Sequence, residues 1–151
     1  VVSQDIDPVA VEMNYRKNAS DGPTNILPLI QDFSSPSPAI GWGNAERDSF
    51  LQRSHCDALL VLALVHHLAI SNNVPLPNIA ALFASLTRWL VIEFVPKEDS
   101  QVIRLLATRE DIFPDYTRDG FEAAFFHYFT IEESSPVAES ERTLYLMKTR
   151  T

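Results

Sequence analysis

The sequence predicts a three-layer α/β fold built on a mostly parallel sheet, with one reversed strand near the carboxyl terminus. Short apolar runs alternate with stretches of helical periodicity in the order β-α-β-loop/α-β-α-β-α-α-β-β, which a parallel sheet covered by crossover helices requires. Two of the runs, Asp57 to Val65 and Trp89 to Val95, do not alternate polar with apolar residues, as strands buried on both faces should not. The last two strand candidates, Phe129 to Glu132 and Thr143 to Met147, are close in sequence, which suits an antiparallel pair added at one edge.

Each element has its own signal. Val1 to Gln4 favours a strand, and Asp7-Pro8 then sets an N-cap and a first-turn proline for a helix whose inner face would be Val9, Ala10 and Met13. Asn18, Ser20, Asp21, Gly22 and Pro23 stop it. A second strand, Asn25 to Ile30, leads through Gln31-Asp32-Phe33 into SSPSPAIGWGNAERD, whose prolines and glycines demand a shaped loop. Asn44 to Gln52 reads as a short helix feeding the apolar run CDALLVLALVHHLAI. After the turn NNVPLP, Ile79, Leu82, Phe83 and Leu86 recur at helical spacing; Val102, Ile103, Leu105 and Leu106 repeat it, and Phe121 to Tyr128 does so with aromatic residues.

The length of 151 residues fits one domain, taken as residues 1–151, and the 46% hydrophobic content supports a packed core. The net charge is −8 and the basic residues are scattered, so stable binding to a nucleic-acid backbone is disfavoured. Cys56 is the single cysteine, cannot form an internal disulfide, and fits a reducing, cytoplasmic setting. The longest uncharged run reads as strand plus turn, so no membrane span is expected. Val-Val-Ser-Gln-Asp has no signal-peptide pattern.

Ligands of such sheets bind outside the carboxyl ends of the strands. There the sequence places Asp5, Asp32, the pair His66 and His67, and Glu93. Asp5 can accept hydrogen bonds from vicinal ribose hydroxyls. Asp32 can accept from an exocyclic amine, and Phe33 and Trp42 are available to cover an aromatic ring. These residues suggest an adenosine-containing ligand.

VVSQDIDPVAVEMNY resembles the second strand and following helix of class I S-adenosylmethionine-dependent methyltransferases, which have a Rossmann-like fold. ILPLIQDF resembles their third strand, DALLVLALVHHL the fourth and RWLVIEFVPKED the fifth, and Phe121 to Lys148 resembles the end of that fold. SPAIGWGNAER, ALVHHLAISNNVPL, FVPKEDSQV and FPDYT together look like a bacterial branch of nodulation-protein-like methyltransferases. The resemblance implies S-adenosylmethionine as cofactor, with Asp5 and Ile6 on the ribose side, Asp32 and Phe33 at the adenine, and Leu64 and Val65 lining the methionine portion. His67 would then lie beside the transferred methyl as a general base for a hydroxyl or amine acceptor.

The family's first strand and glycine-rich turn would precede Val1, and neither is present in the sequence. The expectation is a carboxyl-terminal portion of a longer polypeptide, inactive alone and prone to self-association, with a gap of roughly 9–10 Å in the sheet where a central strand belongs. The acceptor is expected to be a small molecule or a protein. No metal is expected, because adjacent histidines on a strand face opposite ways and no H-x-x-x-H or H-E-x-x-H spacing occurs. Two other readings stay open: an oxidoreductase using a nicotinamide dinucleotide on a related sheet, and a non-catalytic interaction module.

Overall fold

The computed structural model describes residues 1–22 and 25–150; Pro23, expected among the helix-stopping residues, and Thr151 lie outside them. The chain forms two compact units, Val1–Phe50 and Leu51–Thr151, each with its own sheet.

In the first unit, β1 (Val2–Asp5) pairs in parallel with β2 (Leu27–Ile30), in a register that sets Val2 against Leu27 and Asp5 against Ile30. Between them runs α1 (Pro8–Ser20), capped by the Asp7 carboxylate, which accepts from the Val9 amide at 2.8 Å, with Pro8 in its first turn. The expected inner face does not close: no residue of α1 is buried, and Val9 and Met13 remain 63% and 67% exposed. A two-stranded sheet offers the helix little surface to cover. The polar loop that follows carries a 3₁₀ turn at Trp42–Asn44, closed by an Ile40–Arg47 bridge, where a helix was expected from Asn44. The short α2 (Phe50–Arg53) begins only at the unit's end. Gly41 requires glycine, since its φ is +89° and an added Cβ would fall 2.3 Å from the Glu46 Cβ.

The second unit holds the four-stranded sheet β3-β4-β6-β5: β3 (Cys56–Val61), β4 (Thr87–Phe94), β5 (Phe129–Pro136) and β6 (Thr143–Thr149). β3 and β4 are parallel, β6 runs against β4, and β5 runs against β6, so β6 is the reversed strand. Its neighbour β5 absorbs one extra residue between Ile131 and Glu133. Three helices complete the unit: α3 (Leu76–Leu86), α4 (Ser100–Leu106) and α5 (Arg118–Phe126). α3 turns Leu76, Ile79, Ala80, Phe83 and Leu86 inward, the three-and-four spacing of one helix face.

The core is centred on β4, whose Leu90 and Ile92 have no accessible surface, with Val95 just beyond it equally buried. From Phe94 an aromatic series continues through Phe121 (5.0 Å between ring centroids) and Phe125 (4.4 Å) to Phe129 (5.9 Å), pairs that add to their area of burial. β3 differs from expectation. It stops at Val61 instead of Val65, and only Val61 is buried, Leu60 being 65% exposed. The reason is position: among the described residues β3 has one ladder neighbour and lies at the sheet's edge.

Leu90→Ala should therefore cost about 2–5 kcal/mol, the range for emptying a packed site. Leu60→Thr, at the exposed edge, should stay within roughly 0.5 kcal/mol of the parent. Urea unfolding of both variants measures the difference.

Candidate functional site

At the carboxyl end of the first unit, the parallel pairing brings the two predicted acids to the same edge. Asp5 closes β1, and its carbonyl accepts from the Gln31 amide at 2.9 Å, one residue before Asp32. Asp5 is exposed, as is Ile6. Its Oδ1 accepts from the Asp7 amide at 2.9 Å, which fixes the carboxylate's direction and leaves its other lone pairs for a ligand. Asp32 is half-buried, and its Oδ1 accepts from both the hydroxyl and the amide of Ser34 at 2.7 Å. These bonds, the hydroxyl's first, hold its pKa below the usual carboxylate value. Phe33 meets Phe50 edge to face at 5.8 Å. Trp42 is 90% exposed on its loop.

In the second unit the site residues sit on a turn instead of a strand. After Val61 the chain bends through Ala63, whose φ of +50° is left-handed, and His67–Ser71 then forms a π-helical turn, a feature frequent at functional sites. The Asn72 amide and side chain both donate to the His67 carbonyl, at 3.1 and 2.9 Å. Arg109 donates to the Ile70 carbonyl and, at 2.7 Å, to Asn73 Oδ1.

The histidines therefore do not face opposite ways: their rings lie 4.2 Å apart, tilted by 38°. His66 is 1% exposed and its Nδ1 has no hydrogen-bond partner among the described residues, while His67 is exposed. Burial, followed by the charges of His67 and Arg142, pushes the His66 pKa down to about 4, against a smaller opposing effect of Asp99. Val65 is fully buried and Leu64 half-buried, so Val65 supports this segment from beneath. Among the described residues no group of three or more His, Cys, Asp or Glu is placed to hold a metal.

Glu93, at the end of β4, bonds a backbone amide: Oε2 accepts from the Ala63 amide at 2.6 Å, and Oε1 lies 3.3 Å from Arg142 Nη1. A left-handed non-glycine residue costs roughly 1–2 kcal/mol. A hydrogen bond to a charged group contributes about 1.5–3 kcal/mol, enough to hold Ala63 there. Arg142 Nε also donates to Asp99 Oδ2 at 2.7 Å, and Asp99 Oδ1 caps α4 by accepting from the Gln101 amide at 2.8 Å. Sequence reasoning missed Arg142, Asp99 and Arg109, since their partners are 36 to 49 residues away and no local pattern marks them. Tyr116 is buried and its hydroxyl donates to the Val95 carbonyl at 2.8 Å, so it fastens the loop after β4.

Two hollows open in the second unit. A cleft of about 420 Å³ is lined by Ala69, Leu76, Phe113, Tyr116 and Ala124. A broader groove of about 950 Å³ includes Thr87, Arg88 and Lys148. The groove is at the amino end of β4 and contains none of the candidate residues. The cleft is lined by Ala69 of the His67–Ser71 turn and, like the groove, by none of the candidate residues.

Strand order and direction match a Rossmann-like fold that solved methyltransferases share. The structure is similar to the PH0226 protein from Pyrococcus horikoshii OT3, with TM-score 0.62 and 14% identity over 99% of this chain and 71% of that one. It is also similar to magnesium protoporphyrin IX methyltransferase (ChlM) from Synechocystis PCC 6803, solved with bound SAH, at TM-score 0.60 and 16% identity over 99% and 64% of the two chains. The mitomycin 7-O-methyltransferase MmcR matches at TM-score 0.60 and 13% identity, over 99% of this chain and 41% of its own. In sequence, the chain is 43% identical over 141 residues to nodulation protein NoeA of Rhizobium meliloti (strain 1021); the match covers 93% of the chain and 29% of the length of that relative. No family model matches the chain.

The buried His66 makes stability depend on pH. Its folded pKa of about 4 lies below the ordinary 6.5, so the unfolded chain binds the proton more tightly and stability falls as pH drops through that window. Up to about 3 kcal/mol, present above pH 6.5, should be lost by pH 4. His66→Gln, which takes up no proton, should flatten this part of the curve in unfolding measured across pH 4–7.

Proposed function

We propose that the full-length protein containing this chain transfers a methyl group from S-adenosylmethionine to a small-molecule or protein acceptor. The observation that carries this reading is the pair Asp5 and Asp32 at the carboxyl edge of two parallel strands within a methyltransferase fold. The donor set fits an adenosine. Asp5 is an exposed carboxylate held in direction by one backbone amide, suited to accept from two ribose hydroxyls, with Ile6 beside it. Asp32, kept ionised by Ser34, would accept from the exocyclic amine, and Phe33 would lie against the ring.

S-adenosylmethionine, when bound, supplies an electrophilic methyl on a sulfonium, so the protein's main task is alignment. Leu64 would shape the wall near the methionine portion, with Val65 buried beneath it. His67, exposed at the start of its turn, would take the proton of a hydroxyl or amine acceptor. The cleft beside that turn has a volume in the range of small-molecule sites, which supports a small acceptor. The net charge of −8 goes against stable nucleic-acid binding, and no helix among the described residues is long and apolar enough to cross a membrane. A single exposed cysteine fits a cytoplasmic setting. The 151-residue chain is expected to be inactive by itself and to self-associate through the apolar strand edges it exposes, such as that at Leu60.

In the full-length protein, Asp5→Ala should weaken S-adenosylhomocysteine binding by about 1–3 kcal/mol, the cost of unmaking hydrogen bonds to a charged group. Calorimetric titration reads this as a roughly 5- to 150-fold rise in Kd. Binding of NAD in preference to S-adenosylhomocysteine would replace this reading with an oxidoreductase, and binding of neither would leave an interaction module.

A further inference from the structure

The segment Ala63–His67 carries three of the residues assigned to the methionine end and the acceptor, yet little of its geometry is set by its own sequence. It follows an edge strand, begins at a left-handed alanine and ends in a π-helical turn. Ala63 is held by a carboxylate thirty residues away in sequence, that of Glu93. Glu93 is 8% exposed, and the cation facing it is Arg142, which arrives from the connection between β5 and β6. The same guanidinium binds Asp99, the cap of α4. One side chain thus joins the connections after β3, after β4 and before β6, and both of its ion pairs are largely shielded, with side chains 24% and 10% exposed. Shielded pairs of this kind are screened far less than surface pairs. A planar fork that can reach two carboxylates at once is a property of arginine and not of lysine.

We propose that Arg142 is a positioning residue: through Glu93 it fixes the segment Ala63–His67, and so sets where His67 meets the methyl acceptor. The second half of this statement rests on the methyl-transfer reading; the first does not. Arg142 acts by orienting Glu93. Asp99 keeps the guanidinium in place, so that the Glu93 carboxylate stays aimed at the Ala63 amide instead of relaxing toward solvent.

The test is hydrogen exchange followed by mass spectrometry on the full-length protein, comparing Arg142→Met, Arg142→Lys, Glu93→Gln and, as control, Arg118→Met, whose ion pair with Glu122 is separate. Arg142→Met should raise exchange in the peptide spanning residues 63–67 at least tenfold and leave β4 and β6 unchanged. Arg142→Lys should recover only part of the protection, because an ammonium cannot fork across both carboxylates. Glu93→Gln keeps an acceptor for the Ala63 amide but loses the ion pair, and should give a smaller change at the same peptide; it decides the matter if Arg142→Met does not fold. Unchanged exchange at residues 63–67, or an equal rise across β4 and β6, overturns the proposal. In methyl-transfer assays Arg142→Met should lower kcat at least tenfold, with a smaller rise in the KM for S-adenosylmethionine from the Leu64–Val65 wall; a rise in that KM at constant kcat would contradict the role given to His67. A full-length protein that transfers no methyl group sinks the methyl-transfer reading, while the exchange result, obtained without substrate, still decides the structural half.

Discussion

The carboxylate of Glu93 is the contact on which the candidate site of the second unit depends. A strand end with no neighbour on one side has no ladder to hold it, and the turn after β3 would be free to take many backbone conformations. Glu93, anchored on the most deeply packed strand, reaches across and accepts the Ala63 amide. Because β4 is pinned through Leu90, Ile92 and Phe94, which are buried along one face, the carboxylate has a fixed origin. Arg142 compensates its charge, which matters because a buried, unpaired carboxylate would be costly.

The edges show the opposite condition. β1 and β3 each have one ladder neighbour among the described residues, and each turns apolar side chains outward, Val2 at 53% and Leu60 at 65% exposed. Strands with such composition usually lie inside a sheet. Exposed apolar edges are sites where further strand pairing occurs. β4, with a neighbour on either side, buries Leu90, Ile92 and Phe94 and half-buries Trp89 and Val91, so the difference between β3 and β4 lies in position and not in composition.

Much of the fold was legible for local reasons. Asp7-Pro8 marks a helix start because a carboxylate cap and a first-turn proline each satisfy a need of the helix terminus, and α1 begins there. Leu76, Ile79, Phe83 and Leu86 mark one helix face because a face repeats every three or four residues. Asp5 and Asp32 were legible as one edge because parallel strands align their ends. What could not be read required knowledge of distant neighbours. Asp57 to Val65 looked like one buried strand, but its apolar residues divide between an exposed edge strand and a turn whose start is set by Glu93. The two histidines looked like opposed strand residues, and their parallel placement follows from that same early end of β3. Arg142 sits in a polar stretch, ESSPVAESER, and nothing nearby distinguishes it from a solvated arginine. The reading of the fold came from order and local pattern and that of the cofactor and acceptor residues from the family resemblance, whereas the network around Glu93 is tertiary.

The central claim is that the carboxyl ends of β1 and β2 bind the adenosine portion of S-adenosylmethionine. Hydrogen exchange of the full-length protein, measured with and without S-adenosylhomocysteine, tests it most directly. The account predicts slowed exchange in peptides containing Asp5 and Ile6, and Asp32 and Phe33, with the amino-end residues Thr87 and Arg88 unaffected. Protection confined to Thr87 and Arg88, or none at saturating ligand, would contradict it.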